Sequence, residues 1–282
     1  NYTLAYAGMA EYHFSNAFWG FRDPKEALPK FKSAAMEALS RDDTLADAHA
    51  QLGTARGIVD FDWARAEREF RRALQLNPAS PFVRYYYGFF FLRPMGRLDE
   101  ASSELQRAVE LDPLSVIYNA LVAYLSYARG QYDVAIAQQH RAMDLDPGWY
   151  VPHWLLAIAY EHMGRFEEAI DEAQKACELS GRNAPTLGIL GLAYGLAGRC
   201  SEARALLEEL TTKCRTTYVP PHAVAAVYRG LGEVEQALEW LEKGVEERDM
   251  LVVSGLKSEP RYIAFHGHPR YQALLRKMNL VF

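Results

Sequence analysis

Three groups of side chains in this sequence are of types that could do chemistry. His266 and His268 stand two apart in FHGHP, close enough for both imidazoles to touch one cation. Zinc takes at least three protein ligands, and no third follows, so the pair reads as a solvated loop. Cys177, Cys200 and Cys214 lie 23 and 14 residues apart. An odd number of thiols without a CxxC pair speaks against a disulfide framework and a structural zinc site, and leans towards a reducing, cytoplasmic compartment. Glu167, Glu168, Asp171 and Glu172 put four carboxylates on one stretch, where mutual solvation is a simpler reading than acid–base work. His153 and His162 are nine apart, and GLAYGLAGR at 191–199 is rich in glycine but lacks the lysine of a phosphate-cradling loop. The sequence therefore predicts no catalytic residue, no metal site and no cofactor. The chain reads as a non-enzyme.

A denser feature is RYYYGFFFLRPMGRLDEA at 84–101, with six aromatic rings in seven positions. A membrane span needs about 20 apolar residues, whereas Arg84 and Arg93 close this run after eight. A stacking platform for single-stranded nucleic acid comes with a basic groove; this chain has a formal net charge of -5 and a pI near 5.9. Arg65, Arg68, Arg71 and Arg72 do cluster, but Glu67 and Glu69 interleave with them. Neither nucleic acid nor a membrane is expected as a partner. The chain opens NYTLAYAG, without Met or a signal-like run, which suggests a piece of a longer protein.

The elements that hold the rings follow from a period. GRLDEA, GQYDVA, GRFEEA, GRCSEA and GEVEQA begin at Gly96, Gly130, Gly164, Gly198 and Gly232, each 34 residues after the last. Each glycine suits a left-handed turn between two helices, and the acidic residues just after it suit the positive end of the second helix. Ala66, Ala101, Ala135, Ala169, Ala203 and Ala237 mark positions where helices cross closely. Small residues of the first helices face them, at Gly53, Gly88, Ala123, Ala157, Gly191 and Ala225. Pro78, Pro113 and Pro147 stop second helices.

The small residue, the tyrosines Tyr160, Tyr194 and Tyr228, the turn glycine, the alanine and the closing proline resemble the tetratricopeptide repeat. That resemblance implies an all-α, right-handed α-solenoid. Seven units are read at 2–43, 46–79, 80–114, 115–148, 149–182, 183–216 and 217–250, making a repeat region over 1–250 and a C-terminal helical cap over 251–282. The first unit departs from the pattern: it carries the insertion SNAFWGFRDPK and a longer second helix, with Ala34 and Ala38 both candidates for the packing alanine. In the cap, Tyr271, Leu274, Leu275 and Met278 fall at i, i+3, i+4 and i+7 and are expected to bury against the last repeat. AYAGMAEYHF, DDTLADAHAQLG and the ending GLKSEPRYIAFHGHPRYQALLRKMNL are similar to the repeat regions behind bacterial winged-helix regulators, Ser/Thr kinases and nucleotide cyclases, which implies a regulatory parent.

In that family the first helices line the concave side of the superhelix. The corresponding positions are Phe82, Tyr85 and Phe89, then Ile117, Ala120 and Tyr124, then Val151, Trp154 and Ile158. They imply an apolar, aromatic groove for a protein or peptide segment, from a separate partner or from another domain of the parent. The Lys, Asn and Arg clamp with which such domains hold chaperone tails is missing. Three other occupants fit the same strip: the protein's own tail or the insertion near Trp19, a second copy of the chain in a homodimer, and a small apolar molecule.

Overall fold

The computed structural model describes residues 2–281, and among these every regular element is helical. In chain order the α-helices are α1 Thr3–Phe18, α2 Pro24–Arg41, α3 Ala46–Thr54, α4 Trp63–Leu76, α5 Pro81–Tyr87, α6 Leu98–Leu111, α7 Val116–Ala128 and α8 Tyr132–Leu145. They continue as α9 Tyr150–His162, α10 Phe166–Ser180, α11 Ala184–Leu196, α12 Cys200–Lys213, α13 Pro221–Gly230, α14 Val234–Glu247, α15 Met250–Gly255 and α16 Pro269–Lys277. This is the all-α solenoid expected from the period. Gly96, Gly130, Gly164, Gly198 and Gly232 all take positive φ, between 70° and 78°. The six marked alanines are buried, none more than 2 % exposed. A Cβ on Gly88 would lie 3.1 Å from the Ala101 carbonyl oxygen, so that pair sets how closely two helices of one unit approach. The prolines follow helices ending at Leu76, Leu111 and Leu145.

The chain divides into two compact units. Unit 1 comprises Asn1–Tyr118 and Glu247–Phe282; unit 2 is Asn119–Glu246.

Within unit 1, α1 packs on α2, α3 on α4 and α5 on α6. The second helix of the first repeat is long, 18 residues against 14 in α4 and α6, and both Ala35 and Ala38 are fully buried while Ala34 is 7 % exposed. At the ends of α3 and α5 the backbone widens into π-helical turns, Ala55–Val59 and Gly88–Leu92. Their cause is one extra residue. Thirteen positions separate Gly53 from Ala66 and Gly88 from Ala101, while twelve separate Ala123 from Ala135 and Ala157 from Ala169. A π turn absorbs one residue without breaking the helix, and the turn after the first of them closes with Phe61 at φ 54°.

The C-terminal segment packs against these widened turns. Tyr271 and Met278 are fully buried, Leu274 and Leu275 nearly so, as their helical spacing predicts. Their neighbours differ from expectation: the Trp63 Nε1 donates to the Met278 carbonyl at 2.7 Å, Asn279 Nδ2 to the Phe61 carbonyl at 3.1 Å, and Arg248 Nε to the Val59 carbonyl at 3.1 Å. The segment thus reaches the second repeat, whose π turn and the turn after it offer the Val59 and Phe61 carbonyls, and the third through Arg93, which donates to the Ser254 carbonyl; the expectation that it buries against the last repeat is corrected.

In unit 2, α9 packs on α10, α10 on α11, and α11 on both α12 and α13. A Cβ on Gly188 would lie 2.6 Å from the Ala223 carbonyl oxygen, and one on Gly195 2.4 Å from the Gly230 carbonyl carbon. The backbones of α11 and α13 touch where these glycines leave out side chains. This closeness lets Arg229 of α13 donate across to Glu161 of α9.

Candidate partner-binding face

Four of the nine expected groove positions lie in unit 1 and five, with Ala120, in unit 2. Phe82, Tyr85 and Phe89 come from α5 and the π turn after it, Ile117 from the start of α7. α5 starts cleanly because Ser80 accepts from the Val83 amide and Pro81 stands at its first position. The rings of this stretch then divide by helical phase. Tyr87 and Phe91 turn to α4, stacking with each other at 5.5 Å and lying 5.4 and 5.6 Å from Phe70. Tyr86 and Phe90 turn to α1, where Phe14 lies 5.3 and 4.8 Å away.

Tyr85 and Phe89 do not stand open. Tyr85 is 7 % and Phe89 2 % exposed. Tyr118 lies 5.4 Å from Tyr85, Phe18 lies 6.2 Å from Phe89, and the Arg93 guanidinium sits over the Phe89 ring at 4.1 Å. Arg93 is itself fully buried, donating through Nε and Nη2 to the carbonyl and hydroxyl of Ser254 in α15. In unit 1, then, Tyr118 of α7 covers Tyr85, while Phe18 of α1 and the Arg93 guanidinium, held by the C-terminal segment, cover Phe89. The expectation that they line an open groove is corrected to a covered one; Phe82 and Ile117, half-buried, remain accessible. Burial pushes the phenols of Tyr85 and Tyr86 well above their ordinary range, and that of Tyr118 up to about 12. Tyr86 donates to Glu11, the one formally charged side chain of α1, which thereby turns inward.

In unit 2, Val151, Trp154 and Ile158 lie on one face of α9 at i, i+3 and i+7, all buried, and Tyr124 of α7 is 3 % exposed with Tyr127 5.6 Å away. The Trp154 indole Nε1 is buried and has no hydrogen-bond acceptor among the described residues. An indole N–H normally finds one when buried. Beside this face Tyr127, Tyr132 and His162 cluster, with the two tyrosine rings 5.1 and 5.7 Å from the imidazole, and the buried Glu161 raises the Tyr132 phenol after burial itself. Composition and period missed the Glu161–Arg229 pair; the signal was the glycine spacing 188, 191, 195 in α11.

Among the described residues no three His, Cys, Asp or Glu side chains gather where they could hold a metal ion, and no helix is long and apolar enough to cross a membrane. Cys177 is buried, which with its surroundings raises its thiol, while Cys200 and Cys214 are exposed.

Comparison with known proteins follows the same lines. Two family models, both described as tetratricopeptide repeat, match residues 92–148 and 152–183. The transcriptional regulator HilA of Salmonella typhimurium is 28% identical over 127 residues, 45% of this chain and 23% of that protein. The chain thus spans less than a quarter of the curated relatives it matches. Among solved structures, the type IV pilus biogenesis factor PilW superposes with a TM-score of 0.60 at 18% identity over 77% of this chain and 96% of its own. A tetratricopeptide repeat protein from Parabacteroides merdae gives 0.59 at 13% identity, over 88% of this chain and 99% of its own. At such identities these two share the fold.

Proposed function

Because the chain belongs to the tetratricopeptide-repeat family, we propose that it is the protein-interaction module of a larger bacterial regulatory protein, and that it binds an apolar or amphipathic segment on the face carrying the first helices. The kinship with a transcriptional regulator over 45% of the chain supports the regulatory parent. The observation that carries the binding reading is Trp154, whose buried Nε1 lacks an acceptor: a carbonyl of a bound segment supplies one. In unit 1, Phe82 and Ile117 are the half-buried members of the set and the ones a segment reaches.

The test uses the full parent protein and a partner captured by cross-linking. Trp154→Phe keeps the ring and removes the N–H, and should weaken capture by about 1 kcal/mol; Phe82→Ala should cost about 2 kcal/mol or more if Phe82 is an anchor. Affinity should change little with salt, since the residues named carry no charge. Unchanged binding in both variants overturns the reading, and dissociation of a dimer in sedimentation would assign the face to a second copy instead.

A further inference from the structure

The turn between the two helices of a repeat is built the same way three times. After Gly96, Gly164 and Gly198 come Arg97, Arg165 and Arg199, and each guanidinium is met by a glutamate three residues on. The Nε to carboxylate distances are 2.7 Å to Glu100, 2.9 Å to Glu168 and 2.9 Å to Glu202. Arg165 and Arg199 also lie over the rings of Tyr160 and Tyr194, each 4.5 Å from the centroid. These turn arginines are neutralised where they stand.

The first repeat breaks that pattern. Its turn runs Gly20, Phe21, Arg22, and the next glutamate is Glu26, four residues on. Asp23 between them is used as the N-cap of α2, accepting from the Lys25 amide at 2.8 Å. Among the described residues neither Arg22 nor Lys30 has an acidic partner, and Glu26 has no basic one. All three border one cleft of about 160 Å³, closed on its other side by Tyr12, His13 and Asn16 of α1. Asn16 gives a side-chain amide N–H to the Tyr12 carbonyl at 2.7 Å. Burial, and after it the charge of Lys30, hold the His13 imidazole below its ordinary value, so it is neutral at physiological pH. The rim therefore carries two cations and one carboxylate, and the Tyr12 ring adds an apolar wall. The surplus positive charge attracts an anion, and the Tyr12 ring favours one that carries an organic part.

We propose that this cleft between α1 and α2 binds a small monocarboxylate, its carboxylate between Arg22 and Lys30 and its organic part against Tyr12. The site is separate from the face proposed above and stands or falls without it. The cations hold the ligand as charge-assisted donors, partly screened because both side chains reach solvent.

Benzoate is the probe. Isotope-labelled protein is titrated with sodium benzoate at about pH 7.5, where His13 is neutral, with inorganic phosphate in a parallel series and chloride holding ionic strength constant. Saturable shifts are expected at Tyr12, Asn16, Arg22 and Lys30 with benzoate, and a response at least about fivefold weaker with phosphate, which has no organic part to lie against Tyr12. The His13 imidazole should titrate at higher pH once benzoate is bound, because the ligand offsets the Lys30 charge. Arg22→Gln and Lys30→Gln should each weaken binding about fivefold to tenfold, and Glu26→Gln should strengthen it and narrow the gap to phosphate. Lys175→Gln, in unit 2, should leave it unchanged. Absence of saturation with benzoate, shifts that survive removal of both cations, or phosphate or chloride matching benzoate in the unaltered protein would each overturn the proposal.

Discussion

The stretch from α5 through its π turn and the helix α11 hold the same place in their repeats, and they are made from opposite kinds of side chain. The first carries seven rings; the second carries Gly188, Gly191 and Gly195 on its packing side. Both are apolar all round, as a helix is when protein meets it on every side. The rings fill space between neighbours held at side-chain distance: Phe90 alone has Phe14, Phe18, Tyr85 and Tyr86 within 5.5 Å, centroid to centroid. The glycines remove space, so that α13 comes to backbone contact. One repeat is stabilised by what it puts into the gap, the other by having none.

That contrast can be broken from the ring side first. Phe90→Ala leaves a cavity among rings that cannot follow it inward, and the expected loss is about 3–5 kcal/mol, read as a lower denaturant midpoint at an unchanged slope. A slope change would mean that the unit loosened as a whole, and a loss under about 1 kcal/mol would show that the rings are not interlocked. From the glycine side, Gly195→Ala adds one methyl where the Gly230 carbonyl carbon would be 2.4 Å away. The helix must shift, so about 1–3 kcal/mol should be lost by overpacking, set against the roughly 1 kcal/mol that alanine gains over glycine in a helix. Net stabilisation by Gly195→Ala would refute the close approach. The Glu161–Arg229 bond should lengthen in the same variant, visible in its crystal structure.

The smallest effect concerns a feature the two units share, a histidine paired with a glutamate of the next helix: His49 with Glu69 and His153 with Glu172, each at 2.7 Å. For His49 the hydrogen bond to Glu69, opposed by burial, raises the imidazole above its ordinary value. Its contribution is therefore fully present below the unfolded value of about 6.5 and lost as pH rises through the higher folded value. Urea midpoints on either side of that window should fall with rising pH, and His49→Gln should flatten this part of the profile. A profile of equal slope in the variant would remove His49 as its source.

Much of this was legible in the sequence. The 34-residue interval placed the turns, because only glycine takes positive φ without strain there, and the alanines placed the helix crossings, because a larger side chain would force them apart. The extra residue in the second and third repeats was equally visible, as thirteen positions where later repeats have twelve, yet a shifted count does not say that a π turn will absorb it or that the freed carbonyls will hold the C-terminal segment. The groove residues were found by phase alone. Phase tells which side of a helix a ring is on and not what else reaches that side, so the cover over Phe89, which comes from Phe18 some 70 residues before it and from Arg93 held by Ser254 some 160 after, lay outside local reading. Tyr271, Leu274, Leu275 and Met278 were correctly read as buried for the same reason that their neighbour was not: amphipathic spacing gives a buried face without its address.

Unit 1 is closed by residues from both sides of unit 2, and this has a consequence in time. A ribosome that has made Trp63, Phe61 and Arg93 must still add all of Asn119–Glu246 before the segment that covers them exists. At bacterial or eukaryotic elongation rates that interval lasts roughly 6–25 s, far longer than the microseconds in which helices form. During it the second and third repeats stand with an indole N–H, a guanidinium and the Val59 and Phe61 carbonyls open to water, so a chain released early leaves them uncovered and marked for chaperones or proteases.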